Sequence, residues 1–376
     1  MQKVHVMLVS EQAAPNMIAA LDPQLKPTEA VLVVTQRMKN RANALQKVLQ
    51  ENGIKVTQVA VSDESNPSEL QEILIGIASA RDGQSIFLNL TGGTKLMALS
   101  AQVVAQTADW SVFYVDVSTD KVIWLDSETP SHTLEQKLRL KHYLDGYGYT
   151  FKDKPERPQP NKAYQQLTQD LVANVMAYEK PIGQLNWLGQ NAKNNSIKLD
   201  SQQLDSRGLD ILLAKFSDAG ILKLQKDVLT FASEDALRFA TGGWLEYYVY
   251  QAVNNLTGKI GIKDKAINLE IVDSSTQNNE IDVAFLARNR LFAIECKTAR
   301  MDNPESLKAN DTLYKLAENC RRIGGLGTQG MLATYRQLSP SELRLAKALN
   351  IKVVAGSSLY QLEDRIREWV NPPTQR

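Results

Sequence analysis

The sequence predicts an α/β protein in three parts: an open, mostly parallel sheet, a mainly helical middle and a second α/β unit. Three observations carry this. Short apolar runs alternate with helical patterns as far as residue 125, the mark of repeated β-α-β units. Residues 152–161, Lys-Asp-Lys-Pro-Glu-Arg-Pro-Gln-Pro-Asn, then break the alternation with proline and charge. Beyond Gly242 strand patterns return, among them two apolar runs, 281–287 and 291–296, around the polar turn Arg288-Asn289-Arg290, which reads as a β-hairpin.

Taken in order, residues 4–10 form an apolar run of the kind buried in a parallel sheet. Residues 30–34 are the second strand, 41–50 a helix stopped by Gly53, 55–61 the third strand and 67–80 a helix. Residues 85–90 are the fourth strand, 96–107 a further helix, and 111–116 with 122–125 a closing hairpin. In the middle, 210–219 is amphipathic, Gly220 ends it, and 221–231 reads as a short β-wing, an order similar to a winged helix-turn-helix. The last part has an opening helix, the hairpin, a helix over 311–322, a strand at 330–334, and a final strand and helix at 352–354 and 361–370. The expected divisions are 1–150, 151–240 and 241–376. No internal repeat or low-complexity tract occurs.

With 376 residues, 43% of them hydrophobic, the chain can build two or three cored domains. A net charge of +1 gives no global attraction for a polyanion, although Lys and Arg outnumber Asp and Glu beyond Arg288. Cys296 and Cys320 have no CxxC partner, and His5, His132 and His142 lie far from them, which argues against structural zinc or a disulfide framework. No stretch reaches transmembrane length and no leader pattern opens the chain, so the expected location is cytoplasmic, without membrane contact.

Two segments carry chemistry. The first, Asn89-Leu90-Thr91-Gly92-Gly93-Thr94-Lys95, follows a strand and opens a helix. Gly92 and Gly93 permit a tight turn and close approach of a ligand. A helix start favours an anion, and Thr91, Thr94 and Lys95 add hydroxyls and a positive charge. Walker A spacing is absent. Ser10, Glu11 and Gln12 follow the first strand, and Thr35, Gln36, Arg37, Met38 and Lys39 the second, so all three segments leave one sheet edge. Such an edge suits a phosphate-bearing small ligand, whereas a glycine turn alone also serves merely to join strand to helix.

The second segment is the hairpin. Asp282 lies on its first strand. Glu295 and Lys297 end its second strand, two residues apart and so on one face. Lysine beside carboxylates after Leu-Phe-Ala-Ile is costly unless a divalent cation is shared. Asp282, Glu295 and the Cys296 backbone carbonyl offer oxygen ligands of the kind Mg²⁺ and Mn²⁺ prefer, and Lys297 can orient or accept a proton from water attacking a phosphodiester. Glu246, on the helix opening this part, can support the metal. Glu280 shares a face with Asp282 as a further ligand or a rim residue. The Cys296 side chain is expected to point into the core. Tyr314, Lys315, Arg321 and Arg322 lie on the following helix, either near phosphates or simply solvated. For any isolated Glu-x-Lys, a solvated salt-bridged strand is the plainer reading.

Together these residues resemble the CRISPR ancillary nucleases in which an N-terminal CARF domain precedes a C-terminal PD-(D/E)xK nuclease domain. The resemblance rests on Thr35-Gln36-Arg37-Met38, Leu90-Thr91-Gly92-Gly93-Thr94-Lys95-Leu96-Met97, Gly243-Trp244-Leu245-Glu246, Glu280-Ile281-Asp282-Val283 and Ile294-Glu295-Cys296-Lys297-Thr298. Ile281 stands where the nominal motif has proline, a common departure in that superfamily. The resemblance implies a Rossmann-like CARF domain and a restriction-endonuclease-like domain in a homodimer. It implies that Ser10, Gln12, Thr35, Arg37, Met38 and residues 91–95 bind a cyclic oligoadenylate, usually cyclic tetra-adenylate, made by a type III CRISPR complex. It further implies cleavage or nicking of DNA, and for some members cutting of RNA, with Mn²⁺ or Mg²⁺. Asp282, Glu295 and Lys297 would be catalytic, supported by Glu246. The competing reading is a ligand-responsive winged-helix transcription regulator with a non-catalytic C-terminal domain. The intact carboxylate–lysine set and the lack of a strongly basic recognition helix over 210–219 stand against it.

Overall fold

The computed structural model describes residues 2–372 apart from 118, 127, 136–137, 299–307 and 325–326. The first sheet holds β1 (Lys3–Leu8), β2 (Glu29–Thr35), β3 (Lys55–Val61), β4 (Ser85–Asn89), β5 (Ser111–Asp116), β6 (Lys121–Trp124) and β7 (His132–Thr133) in the order β3-β2-β1-β4-β5-β6-β7. The first five strands of that order run parallel and the last two antiparallel. Every residue of β2 is buried, as expected of a strand covered on both faces. Leu45, Val48 and Leu49 of the helix Lys39–Glu51 pack in the cluster on one face. Leu70, Leu74 and Met97, from Pro67–Ser79 and Lys95–Thr107, pack in the other. Strand order reverses between β1 and β4, which opens a crevice at their carboxyl ends.

A short strand, β8 (Tyr149–Phe151), leaves this domain and finds its partner far ahead in the chain. The middle part is built on the helices Lys162–Ala173, Val175–Asn191 and Leu209–Asp218, with a three-stranded wing of β9 (Ser196–Lys198), β10 (Leu222–Gln225) and β11 (Val228–Phe231). The last sheet contains β12 (Ile262–Asp273), β13 (Asn278–Ala287), β14 (Arg290–Lys297), β15 (Thr328–Thr334) and β16 (Ile351–Ala355), ordered β16-β15-β14-β13-β12-β8. The chain is thus mixed α/β at both ends with a helical, winged middle.

The β13–β14 connection is a two-residue turn with both φ values positive, 50° at Arg288 and 53° at Asn289, the type I′ geometry that matches strand twist. Asn289 is buried. Its Oδ1 accepts from the Leu138 amide at 3.2 Å and its Nδ2 donates to Asp120, so the hairpin tip is tied to the first domain. One apolar cluster spans both domains, joining Met17 and Leu45 to Leu269, Leu286 and Leu316. The proline-rich stretch is also anchored: the Lys152 amide donates to Glu270 O at 3.0 Å, and Glu156 bridges to Ile267. It lies along β12 as an extra edge instead of hanging free.

Candidate active site and ligand-binding edge

Pairing of Val283 with Ile294 puts Asp282 opposite Glu295 at the open end of the hairpin. Antiparallel neighbours share a face, so Asp282, Glu295 and Lys297 project together. The Lys297 ammonium lies 2.6 Å from Glu295 Oε1 and 4.0 Å from Asp282 Oδ2. The Cys296 amide donates to Asp282 Oδ2 at 2.7 Å, which fixes that carboxylate. The Cys296 side chain is buried in the cluster on the opposite face, with Ile294 and Trp244.

Glu246 arrives from the first turn of the helix Trp244–Asn255. A kink at Thr241 and Gly242, the latter at φ 151°, separates this helix from Glu234–Arg238. Glycine accepts that positive φ, and the change of direction aims the first turn of the new helix. Behind this kink, Asn186 Nδ2 donates to Thr298 Oγ1 at 3.2 Å, bracing the end of β14 against the helix Val175–Asn191.

Charge in this site is unbalanced. Burial pushes the Glu246 carboxyl up to about 7, with Glu280 as the next cause. Burial and then Glu295 push Asp282 upward as well. Burial alone would lower Lys297, but Glu295 and Asp282 outweigh it and the ammonium is held more firmly than usual. One ammonium thus faces three carboxylates, Glu246, Asp282 and Glu295, with Glu280 acting on Glu246. Among the described residues, no three His, Cys, Asp or Glu side chains form a closed metal cage. Two carboxylates, a strand carbonyl and room for water are nonetheless the oxygen donor set that Mg²⁺ or Mn²⁺ takes. Glu280 lines the adjoining cleft with Glu246. On the helix Lys308–Gly324, Arg321 pairs with Glu318 at 2.9 Å and Arg322 with Asp273 at 3.0 Å, while Tyr314 and Lys315 are exposed.

The ligand edge lies at the β1/β4 switch. A Cβ on Gly92 would meet Leu8 O at 2.0 Å, and Gly93 has φ +76°, so both positions demand glycine. Buried Asn89 organises the turn: its Nδ2 donates to Asn16 Oδ1 at 2.9 Å, and its Oδ1 accepts from the Thr91 amide at 3.0 Å and hydroxyl at 2.6 Å. The Thr91 hydroxyl also accepts from the Val115 amide at 2.8 Å, so it is engaged in holding the turn. Thr94 caps the helix through the Met97 amide at 3.2 Å. Lys95 and Arg37 are exposed, Met38 is in the core, and the Thr35 hydroxyl is buried without a partner at the end of β2. Ser10 Oγ donates to Gln12 O at 3.4 Å, and Gln12 Oε1 accepts from Tyr147. Asn16, Tyr147 and Asn186 carry no local sequence signal, because their partners are distant in the chain.

An anion-suited edge in one α/β domain and a carboxylate–lysine strand end in another define a sensor domain joined to a nuclease domain. Residues 4–143 match the Card1 CARF domain and residues 233–372 the endonuclease domain described as Card1-like, and the chain belongs with the CARF-domain CRISPR ancillary nucleases. Among solved structures it is similar to protein VC1899 from Vibrio cholerae, with TM-score 0.90 and 23% identity over 98% of each chain. It is also similar to Can2 from Sulfobacillus thermosulfidooxidans in complex with cyclic tetra-adenylate, with TM-score 0.83 and 25% identity over 98% of this chain and 99% of that one. A type III CRISPR defence DNA nuclease activated by cyclic oligoadenylate aligns with TM-score 0.63 and 20% identity, over 100% of this chain and 53% of that one. No curated protein matches the sequence. No helix among the described residues is long and apolar enough to cross a membrane.

Proposed function

We propose that this protein is a metal-dependent endonuclease switched on by a cyclic oligoadenylate, cyclic tetra-adenylate in the first instance, and that it cuts or nicks DNA or RNA in type III CRISPR antiviral defence in the cytoplasm. The observation that carries the reading is the gathering of Glu246, Asp282 and Glu295 around the single ammonium of Lys297. Asp282, Glu295 and the Cys296 carbonyl would hold Mn²⁺ or Mg²⁺, with Glu246 supporting it. When bound, the ion would supply the positive charge the site lacks and activate water toward the phosphodiester. Lys297, held as an ammonium by Glu295, positions that water, and Asp282 is kept in register by the Cys296 amide.

The sensor reading rests on the switch-point crevice and on likeness to a protein solved with cyclic tetra-adenylate. Ser10, Gln12, Thr35, Arg37, Met38 and residues 91–95 are the proposed contacts, within a division of the chain at 1–150, 151–240 and 241–376. A homodimer is supported by the helix that starts at Lys95, which leaves Leu96, Leu99 and Val103 exposed at helical spacing beside the glycine turn. A ring ligand lying across two such edges favours one relative arrangement of the subunits, which is what coupling requires. The test is cleavage of plasmid and single-stranded RNA in Mn²⁺, with and without cyclic tetra-adenylate. Low cutting by wild type that the activator raises strongly, and none by Glu295→Ala, is expected. Equal cutting by Glu295→Ala would overturn the catalytic assignment.

A further inference from the structure

Beside Glu246 and Glu280 runs a cleft of about 910 Å³ that the chemistry above does not use. Its charge is lopsided. Asp153, Glu156, Asp235 and Glu270 join the two catalytic-side glutamates in lining it, against Lys154 and Arg238; Arg238 is paired with Asp235 and Glu270 with Lys152, which leaves four carboxylates against Lys154. A phosphate backbone laid along this cleft would meet repulsion of the kind that excludes wrong partners. A neutral group would not.

The same cleft carries an aromatic wall. Tyr164 and Phe239 lie 4.4 Å apart between ring centroids, and Tyr247 meets them edge-on at 5.8 and 5.9 Å. Tyr164 and Phe239 are only half-buried. Tyr247 is held by the Asn161 amide, which donates to its hydroxyl at 2.8 Å. Phe239 stands just before the Thr241–Gly242 kink that leads to Glu246, so the wall and the active site are fixed to one another by a few residues of chain. Flat apolar faces accept any base by stacking. Carboxylates at the rim accept from the exocyclic amines of adenine, cytosine and guanine, whereas thymine and uracil present no such amine.

We infer that the cleft walled by Tyr164, Phe239 and Tyr247 is a subsite for one unpaired, amine-bearing nucleobase of the substrate strand, next to the phosphodiester at the carboxylate–lysine site. The inference rests on the nuclease reading and narrows it: the strand enters locally unpaired, with its base in the acidic cleft and its phosphates turned toward the Lys297 side. Stacking on a protein aromatic ring changes affinity by about tenfold per base.

The test uses the full chain with cyclic tetra-adenylate and Mn²⁺. Single-stranded oligonucleotides carry 2-aminopurine at successive positions around the cut site, and its fluorescence reports stacking independently of cleavage. Binding is read in a Glu295→Gln background and cleavage in the wild-type background. Quenching at one position, lost in Phe239→Leu and Tyr164→Leu but kept in Tyr164→Phe, is expected, with affinity about tenfold weaker in the two leucine variants. Thermal melting checks that these variants stay folded. Unchanged quenching in both leucine variants would overturn the subsite. Equal cutting of oligo-dA and oligo-dT would overturn the preference for an amine. A wild-type protein that cuts nothing while binding activator would sink the nuclease reading itself, a result distinct from both.

Discussion

The hydroxyl of Tyr147 donates to Oε1 of Gln12 at 3.2 Å, joining the loop after β1 to the aromatic pair that faces the second domain. Tyr147 stacks on Tyr143 at 4.8 Å, and the buried Tyr143 hydroxyl lies 3.4 Å from Thr328 Oγ1 at the start of β15. β15 runs parallel to β14 and pairs Leu332 with Glu295. Three side-chain contacts therefore lead from the Gln12 loop to β15, the strand paired with the one that carries Glu295 and Lys297.

Tyr147→Phe removes the first of those contacts while keeping the ring. Gln12 is half-buried, so water can replace the lost donor and stability should fall by no more than about 1 kcal/mol. If the contact transmits activation, stimulation by cyclic tetra-adenylate falls about fivefold, the equivalent of about 1 kcal/mol of coupling, while unstimulated activity stays as in wild type. Titrating activator against cleavage rate in both proteins measures this. An unchanged stimulation ratio assigns the contact to packing only.

Asp282→Asn separates stability from activity. The substitution removes one carboxylate from a site holding three around one ammonium, so the metal-free protein should melt no lower than wild type. Cleavage should fall by at least about 100-fold. In wild type, Mn²⁺ at about 100 times its dissociation constant should stabilise by about 2.7 kcal/mol, a rise of a few degrees, and Asp282→Asn should lose that rise. Melting curves with and without Mn²⁺ suffice. A full Mn²⁺ response in the variant would place the ion elsewhere.

The hairpin, β1 and β2 are legible in the sequence because their burial leaves apolar runs between turn residues, whereas the half-exposed edge strand β3 shows only as β-branched residues between Gly53 and Pro67. β12, the longest strand of the second domain, hides better. Its Ile267, Leu269 and Ile271 alternate with Asn268 and Glu270, but Lys263, Asp264 and Lys265 dilute the start. The helix Pro340–Ala348 is announced only by its capping box, Ser339 with Glu342. Spacing places Glu295 and Lys297 on one face. That Asp282 stands opposite them depends on the two-residue turn fixing the register. The Tyr143–Thr328 and Asn186–Thr298 contacts join residues 185 and 112 positions apart, and no local pattern reports them.

His5 should make stability fall in mild acid. It is buried between Phe87 and Phe113, with ring centroids 5.8 and 5.5 Å away. Burial, helped by Lys3, lowers its pKa from 6.5 to about 3. The unfolded chain therefore binds a proton that the folded one refuses between those values. Stability is fully present above pH 6.5 and is lost as pH drops toward 3, by about 2 kcal/mol at pH 5. His5→Phe should remove that share, so urea midpoints of wild type and variant should diverge between pH 7 and 5. Parallel curves would show that acid sensitivity lies elsewhere.

Gly92→Ala tests whether the turn's shape, not only its charge, makes the ligand edge. A Cβ at this position falls 2.0 Å from the Leu8 carbonyl oxygen, a backbone atom that cannot swing aside. The turn must move away from β1, and with it the start of the helix that Thr94 caps. Loss of that close approach should weaken cyclic tetra-adenylate by at least about tenfold, whereas Lys95→Ala, which leaves the backbone in place, removes only one exposed charge and should weaken it by a few-fold. Some instability is expected for Gly92→Ala, on the order of 1–3 kcal/mol. Basal cleavage in Mn²⁺ therefore serves as the control, because the carboxylate–lysine site lies in the other domain. Calorimetric affinities for the two variants decide the matter. If Gly92→Ala binds as tightly as wild type while Lys95→Ala does not, the ligand is held by side-chain charge alone and the glycine turn serves packing.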